Sequence, residues 1–176
     1  MRTTATTLPA LDGPFDLVYA DPPWRYRAGT TTPNRVIEYY YGTMTLQEIC
    51  DLPVESICAP NCVLVCWAPS PKLAEALSVV DAWGFDYRTC AVWVKPSIGP
   101  GYYWRQRHEL LLLGMRGTPG TAPKGVTLDS VFCAPRGKHS MKPEAVYEQL
   151  EAMYPRARRV ELFARRRREG WAAWGN

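Results

Sequence analysis

An apolar run that stops at two prolines constrains the fold of this chain more than any other sequence feature. Phe15-Asp16-Leu17-Val18-Tyr19-Ala20 has the pattern of a buried strand, and the acidic residue Asp21 follows it directly. Pro22 and Pro23 fix φ and have no N–H group, so neither a helix nor sheet pairing can continue through them. The sequence therefore predicts a buried strand that ends in a rigid polar corner.

The predicted corner combines hydrogen-bond acceptors with an indole ring. Because the prolines supply no N–H donors, we expect the carbonyl groups of Asp21 and Pro22 to stay open as acceptors, with the flat face of Trp24 beside them. Such a corner suits a planar ligand that carries an amino group. A strand followed by an ordinary proline turn is the alternative interpretation of the same residues.

Strand and helix patterns alternate along the rest of the chain. Further strands are predicted at 61–67, 87–94, 108–115, 131–134 and 159–164. One helix is predicted to begin at a capping box of Thr45 and Glu48, a second at the N-cap Ser70 and the first-turn residue Pro71 with its stop at Gly84, and a third near Glu144. This order predicts an α/β fold with a mainly parallel sheet, helices on both faces and ligands at the carboxyl ends of the strands. Several polar residues at predicted strand ends are expected to meet in one crevice there: Asp21, Lys95, Arg116 and Arg165.

Two loops near these strand ends are interpreted as substrate loops. The segment from Arg25 to Tyr41 is polar and has no periodicity, and loops of that length are usually either functional or disordered. The segment 97–107 interleaves aromatic rings with arginines, a mixture that suits base stacking and phosphate binding. A loop that packs its own aromatic rings would have the same composition. The residues expected to hold the substrate are Arg25, Tyr41, Tyr103, Trp104, Arg105 and Arg116.

An acid–base pair opens the strand predicted at 108–115. His108 and Glu109 have the side chains for proton transfer, and they are adjacent in the sequence. Neighbouring residues of a strand, however, face opposite sides of the sheet. We therefore do not expect these two residues to act as a dyad.

Charge and cysteine content limit the classes of function and partner. The net charge is +4, and arginines crowd the segment 156–168, where apolar residues interrupt them. Trp171 and Trp174 follow, which favours folded structure over a solvated tail. The cluster of arginines favours a polyanion as the partner. The six cysteines include no C-x-x-C pair, and a chain with a normal core needs neither disulfides nor structural zinc. We expect reduced thiols and no metal site.

Length and hydropathy predict one domain over residues 1–176, with 1–13 as a flexible N-terminal segment. No apolar run approaches the roughly 20 residues that span a bilayer. The N-terminal segment is rich in threonine and has no apolar block, so it does not resemble a secretory signal. We expect a cytoplasmic protein without membrane association, as a monomer or a homodimer.

Seven short motifs occur in an order that characterises one family. They are Asp21-Pro22-Pro23-Trp24, Tyr41-Gly42-Thr43-Met44, Trp83-Gly84-Phe85, Trp93-Val94-Lys95, His139-Ser140-Met141-Lys142-Pro143, Glu161-Leu162-Phe163-Ala164-Arg165, and Trp171 with Asn176. The chain thereby resembles the MT-A type adenine-N6 methyltransferases, over roughly residues 15 to 176. This family includes the catalytic subunit of the eukaryotic messenger-RNA adenosine methyltransferase and many bacterial and phage relatives. One such motif would be unspecific, whereas seven in order are not.

The resemblance implies an S-adenosylmethionine-dependent enzyme with a permuted Rossmann-like fold, in which the catalytic corner precedes the cofactor strand. By likeness, Asp21 and Pro22 bind the target amino group, and Pro23 and Trp24 complete the catalytic corner. The positions at which relatives contact the cofactor or line its site are Asp21, Lys95, Arg165, Arg167, Arg168 and Asn176. The sequence departs from well-studied eukaryotic relatives at Arg167-Arg168, where they have His-Asn, and it ends before the residue that follows Asn176 in them.

The expected activity is methylation of the adenine amino group in nucleic acid. The absence of a Gly-x-Gly-x-x-Gly loop argues against a dinucleotide site, whereas S-adenosylmethionine has no phosphate to bind. We expect DNA as the substrate rather than RNA, since a compact bacterial-looking chain fits a phage or restriction-modification setting. An RNA adenosine methyltransferase and a catalytically silent nucleic-acid-binding partner are the alternatives, and methylation of a free small molecule is a third.

Overall fold

The computed structural model describes residues 8, 11–26, 42–101, 103–126, 128–137 and 141–175. Most of the predicted flexible N-terminal segment and of the predicted loop from Arg25 to Tyr41 lies outside these ranges. The proposed site residues Tyr41 and Asn176 also lie outside the described residues. The fold and the site are built from the remaining elements.

Seven strands form one sheet in the order β5-β3-β4-β2-β1-β6-β7. The strands are β1 Phe15–Ala20, β2 Cys58–Pro69, β3 Asp86–Val94, β4 His108–Arg116, β5 Val131–Cys133, β6 Arg159–Leu162 and β7 Trp171–Trp174. The helices are α1 Leu46–Cys50, α2 Leu73–Ala82 and α3 Glu144–Met153. Strand β4 runs antiparallel to both of its neighbours, and every other pair of strands is parallel. The predicted α/β fold with a mainly parallel sheet is confirmed.

Alternate residues of β1 face two separate hydrophobic clusters. Val18 and Ala20 belong to a cluster that includes buried residues of α1 and α2. Leu17 and Tyr19 belong to a second cluster that includes buried residues of α3. Because side chains alternate along a strand, β1 contributes to both clusters and the sheet is covered on both faces, as the sequence predicts.

The central strand β2 is longer than the sequence predicts. It begins at Cys58, and Pro60 lies inside it rather than before it. Its pairing with β1 shifts register between Phe15 and Leu17, which pair with Cys58 and Val63. A bulge of this kind accommodates a proline within a sheet, since the residues it contains leave the hydrogen-bond ladder.

The start of α2 differs from the prediction, whereas its end agrees. Ser70 begins a short 3-10 turn that ends at Lys72, and the α-helix starts at Leu73 without a side-chain cap. The Ser70 hydroxyl instead contacts the side chains of Gln106 and His108. Gly84 follows the helix with φ +78°, a left-handed conformation that favours glycine, so the predicted helix stop is confirmed. The predicted capping box of Thr45 and Glu48 at α1 is also present.

A strand that the sequence pattern does not predict, β7, follows β6. Strand β7 pairs in parallel with β6 and is the outermost strand on that side of the sheet. Between the two strands, Phe163 has φ 62° and turns the chain out of β6. Of the described helices, none has both the length and the apolar character needed to cross a membrane.

Truncation of a buried leucine in β2 tests the packing of this core. Leu64 is completely buried in the cluster below α2. Leu64→Ala should lower the free energy of unfolding by about 2–5 kcal/mol, since it removes apolar contacts and leaves a cavity. Leu46→Ala is the control, because Leu46 is 38% exposed and its truncation should change stability by about 0.5 kcal/mol or less. Equal shifts in urea denaturation would contradict the described core.

Candidate active site

The candidate site lies at the carboxyl end of β1, where the chain passes from Ala20 to Asp21. The Asp21 side chain is 17% exposed and has cationic groups on both sides. The Lys142 ammonium is 3.0 Å from its Oδ1 atom, and an Arg165 guanidinium nitrogen is 3.9 Å from its Oδ2 atom. Two segments far from β1 in the sequence thus converge on this carboxylate.

Lys142 connects Asp21 to a second carboxylate. Its Nζ atom is 2.8 Å from Oε2 of Glu109, and Lys95 forms an ion pair with the other oxygen of Glu109. The side chains of Lys95, Glu109 and Lys142 are only 12–15% exposed. We call the series Lys95, Glu109, Lys142, Asp21 and Arg165 the charge chain, because positive and negative groups alternate along it.

The charge chain keeps its central members ionised. Burial acts to lower the pKa of Lys142, but the carboxylates of Asp21 and Glu109 outweigh it and raise that pKa above its usual value. Burial acts to raise the pKa of Glu109, but Lys142 and Lys95 outweigh it and lower that pKa. The ammonium groups of Lys142 and Lys95 also lie 5.0 and 5.2 Å from the ring centroids of Trp67 and Trp93, within the range of cation–π attraction.

The proline corner has more internal hydrogen bonds than the sequence predicts. The backbone N–H of Trp24 donates to the Pro22 carbonyl at 2.8 Å, and the N–H of Met44 donates to the Pro23 carbonyl at 3.0 Å. The expectation that Pro22 has no neighbouring donor is therefore wrong, because the N–H comes from the residue just beyond the prolines. A carbonyl oxygen has two lone pairs, so Pro22 can accept a second hydrogen bond.

Trp24 occupies a different position from the one expected. Its side chain is part of the hydrophobic core, with 6% exposure, and its indole N–H donates to the Trp67 carbonyl at 3.2 Å. The expectation of an open aromatic face beside Asp21 is wrong for this structure. Trp24 instead attaches the segment after the prolines to the end of β2.

Arg116 does not join the charge chain. Strand β4 is antiparallel to β2, so its last residue, Arg116, pairs with Cys62 near the start of β2, at the edge opposite Asp21. Arg116 there forms an ion pair with Glu55 at 2.7 Å. The expectation that Arg116 converges with the other strand-end residues is wrong, because the sequence pattern does not reveal the direction of β4.

The arginines after β6 contact two different sites, since Arg165 lies near Asp21 whereas Arg168 binds helix α3. Arg168 binds both carboxylate oxygens of Glu151 on α3, at 2.7 and 2.9 Å, and also contacts Glu144. These contacts attach it to the helix rather than to Asp21, which argues against the cofactor role expected for it. Arg167 is exposed, as is Arg25, which lies just after the proline corner.

A small cavity adjoins Asp21 on the side of β6. The residues that line it are Asp21, Met141, Lys142, Tyr147, Glu161, Phe163, Arg165 and Arg166. Glu161 is 7% exposed, and the Tyr147 hydroxyl donates to its carboxylate at 2.8 Å. Burial raises the pKa of Glu161. The cavity therefore combines acidic, cationic and apolar groups within reach of Asp21.

The predicted aromatic loop is a hairpin between β3 and β4. Lys95 N–H donates to the Arg107 carbonyl at 2.8 Å, and Gly99 N–H donates to the Gln106 carbonyl at 2.6 Å. Near the tip, Tyr103 and Trp104 are 96% and 82% exposed. Arg105 is also exposed, and its Nε donates to the Gly99 carbonyl at 3.1 Å.

Sequence reasoning missed the two residues at the centre of the charge chain. Lys142 lies inside one of the motifs on which the family resemblance rests, and Glu109 has His108 as its neighbour in the sequence. The structure separates that pair, since His108 contacts the Ser70 hydroxyl at 2.9 Å whereas Glu109 joins the lysines. The motif around Lys142 was a usable signal for its role, but nothing local indicated the Glu109 partners.

Metal ligation has no support among the residues that the structure describes. They contain no group of three or more His, Cys, Asp or Glu side chains placed to hold a metal ion. All six cysteines are free thiols. The acidic residues of the site are accounted for by lysine, arginine and tyrosine partners.

Comparison with known proteins places this geometry in a family. The MT-A70 family model matches residues 15–176. The chain belongs to the MT-A70 family. The methyltransferases of this family use S-adenosylmethionine as the methyl donor, which agrees with the expected cofactor.

Relatives of this MT-A70 chain come from bacteria and eukaryotes. The Type II methyltransferase M.MunI of a Mycoplasma species is 32% identical over 178 residues, covering 92% of this chain and 76% of that protein. An MT-A70-like N(6)-adenosine-methyltransferase of Arabidopsis thaliana is 29% identical over 174 residues, covering 93% of this chain and 24% of that protein. The human N(6)-adenosine-methyltransferase catalytic subunit METTL3 is 26% identical, covering 93% of this chain and 28% of that protein. The chain thus spans about a quarter of these eukaryotic relatives.

The lowered pKa of Glu109 predicts how its contribution to stability depends on pH. A carboxyl whose pKa is lower in the folded state stabilises the fold above its unfolded pKa, about 4.3 for Glu, and loses that contribution as the pH falls through the folded value. Glu109→Gln should therefore destabilise the protein most near neutral pH, and its difference from wild type should shrink in acid. Urea denaturation at several pH values measures this difference.

The control for this experiment is Glu148→Gln, because Glu148 is an exposed residue of α3. Its substitution should change the free energy of unfolding little at any pH. A Glu109→Gln difference that stayed constant from neutral to acidic pH would show that the carboxylate charge does not stabilise the fold.

Proposed function

We propose that this MT-A70 protein is a methyltransferase that modifies the N6 amino group of adenine in DNA. The observation that carries the proposal is the Asp21 carboxylate, which lies at the end of β1 and forms an ion pair with Lys142. The Pro22 carbonyl follows it directly in the chain. A carboxylate and a carbonyl side by side are suited to accept the two N–H bonds of an amino group.

The chemistry of the adenine amino group explains why two acceptors help. Its nitrogen lone pair is delocalised into the ring, so the nitrogen is a poor nucleophile. Hydrogen bonds from the amino group to Asp21 and to the free lone pair of Pro22 would draw its hydrogens out of the ring plane and localise the lone pair. Placement and electrostatics then supply most of the rate, and Asp21 accepts the proton that the nitrogen releases.

The charge chain contributes by fixing the orientation of Asp21. Lys142 binds one oxygen of the carboxylate at 3.0 Å and is itself held by Glu109 at 2.8 Å. Arg165 lies 3.9 Å from the other oxygen. A carboxylate held on both sides does not need to reorganise when the amino group approaches, which favours the transition state.

The residues around Asp21 fit the family cofactor. S-adenosylmethionine, when bound, supplies an electrophilic methyl group on a sulfonium. Arg165 and Lys142 have the charge to bind its carboxylate, whereas Asp21 and Glu161 can accept hydrogen bonds from its ammonium or ribose hydroxyl groups. Phe163 and Met141 supply apolar contact in the same cavity. Lys95 is the farther member of this set, since Glu109 separates it from Lys142.

The choice of DNA rests on one of the relatives, whereas the exposed cationic surface supports a nucleic acid of either kind. The Type II methyltransferase M.MunI supports DNA as the substrate, and its match includes 92% of this chain and 76% of its own length. The exposed residues Arg25, Arg105 and Arg167 give the surface positive groups that suit a phosphate backbone. An intact Asp21 within the charge chain argues against a catalytically silent partner subunit.

RNA is the second candidate substrate. The eukaryotic relatives are N(6)-adenosine-methyltransferases, and they match the chain over 93% of its length. The acceptor pair at Asp21 and Pro22 suits an adenine amino group in either polymer. A direct comparison of matched polymers decides between them.

The substrate experiment uses one sequence in several forms. Wild-type protein is incubated with labelled S-adenosylmethionine and with unmethylated genomic DNA, the same DNA after heat denaturation, or RNA transcribed from it. Each polymer is then digested to nucleosides, and the product is identified by mass. N6-methyl-2′-deoxyadenosine is the expected product. Label only in the RNA product would favour the second candidate, and the absence of a methylated adenine from every polymer would contradict the proposal.

Asp21→Asn tests the residue that carries the proposal. The amide keeps the shape of the side chain but loses the negative charge and one acceptor, so methyl transfer to DNA should fall by about 10²–10³-fold. Asp86→Asn is the matched control, because Asp86 begins β3 at the opposite edge of the sheet with its side chain 79% exposed. Its rate should equal that of wild type. Equal rates for wild type and Asp21→Asn would remove Asp21 from the mechanism.

A further inference from the structure

The hairpin between β3 and β4 presents the most exposed large hydrophobic side chains of the described residues. Trp104 is 82% exposed, Tyr103 is 96% exposed and Ile98 is 60% exposed. Apolar side chains of this size are usually covered in a monomeric protein. Their concentration on one protruding element indicates a contact with another molecule.

The hairpin is held in shape by its own hydrogen bonds. The Gln106 side-chain amide donates to the Trp104 carbonyl at 3.2 Å. At Gly101 the backbone passes so close to Trp104 that a Cβ atom would lie 2.0 Å from the Trp104 carbonyl oxygen. The backbone of Trp104 is thus fixed at a tight tip while its indole extends outward. A rigid aromatic side chain loses little entropy when it makes a contact.

The base of the hairpin is joined to the charge chain. Lys95 ends the first arm and forms an ion pair with Glu109, which contacts Lys142 at 2.8 Å. The second arm is held by Ser70, which lies before α2 and whose hydroxyl contacts His108 at 2.9 Å and Gln106 at 3.0 Å. The hairpin is therefore anchored at the same edge of the sheet as Asp21.

The chemistry of the hairpin suits nucleic acid rather than an apolar protein surface. Arg105 and Arg107 are exposed and follow Trp104 on the second arm, and each donates its Nε to the hairpin backbone at 3.1 Å. A guanidinium has five N–H donors, so one such bond does not exhaust its capacity for a phosphate. Aromatic rings next to arginines allow base stacking and phosphate binding at the same time.

We infer that Trp104 inserts into the base stack of duplex DNA at the position that the target adenine leaves. This inference rests on the proposed function, because an amino group at Asp21 requires the adenine to leave the duplex. Apolar wedges between base steps stabilise distorted duplexes in other DNA-binding proteins. Trp104 is thus a positioning residue and has no part in methyl transfer itself.

The test compares duplex and single-stranded substrates that carry the adenine modified by the wild-type protein. Trp104→Ala should lower kcat/KM on the duplex by about tenfold, the order of one aromatic–base stack. It should change kcat/KM on the single strand by less than about twofold, because no stack has to be filled. Trp104→Phe should recover most of the duplex activity. Tyr87→Ala is the control, since Tyr87 is a 45% exposed aromatic residue near the start of β3, and it should leave both values unchanged.

Fluorescence reports the insertion independently of turnover. With 2-aminopurine at the target position of the duplex, wild-type binding should raise the emission, because the base leaves the stack. Trp104→Ala should give little of this rise at saturating protein.

Three outcomes separate the inference from the proposed function. Equal losses on duplex and single strand for Trp104→Ala would overturn the insertion while leaving the methyltransferase proposal intact. A change of sedimentation behaviour in Trp104→Ala with an unchanged duplex preference would show that the hairpin joins copies of the protein, which also overturns it. The absence of adenine methylation by the wild-type protein would remove the proposed function and the inference together.

Discussion

Lys142 lies between two carboxylates in a largely buried part of the molecule, and the whole site depends on these two ion pairs. Its ammonium is 3.0 Å from Asp21 and 2.8 Å from Glu109. Buried charges are costly unless each has an opposite charge and hydrogen bonds. Removal of Lys142 would take one cationic partner from each of Asp21 and Glu109, so the two carboxylates depend on the same ammonium group. The same contacts that make these charges tolerable also fix the direction in which Asp21 faces.

The reversed direction of β4 decides which residues take part. Because β4 is antiparallel to β2 and β3, its first residues and not its last lie at the edge where β1 ends. Glu109 therefore meets Lys95, which follows the end of β3, whereas Arg116 lies at the other edge with Glu55. The hairpin that joins β3 to β4 consequently begins and ends beside the site. A surface for a long polymer and an acceptor for one amino group thus belong to the same edge of the sheet.

The sequence predicted features that depend on local patterns, and it missed those that depend on distant pairing. The strand before Asp21, the capping box at Thr45 and the helix stop at Gly84 follow from residue type and spacing. The burial of Trp24 depends instead on the Trp67 carbonyl, which no local pattern reveals. Short strands such as β7 have too few residues for a periodic signal. The site was predictable at Asp21 and only partly at its partners, because a motif marks a residue but not the ion pair that holds it.

A double-mutant cycle on methyl transfer to DNA tests most directly whether the charge chain acts as one unit. Single-turnover rates are measured for wild type, Glu109→Gln, Lys142→Met and the double variant. If Glu109 acts by holding Lys142, and Lys142 by holding Asp21, the double variant should be no slower than the slower single variant. Losses that multiply, so that the two single effects on the activation free energy add, would show that the two residues act separately and would contradict the account.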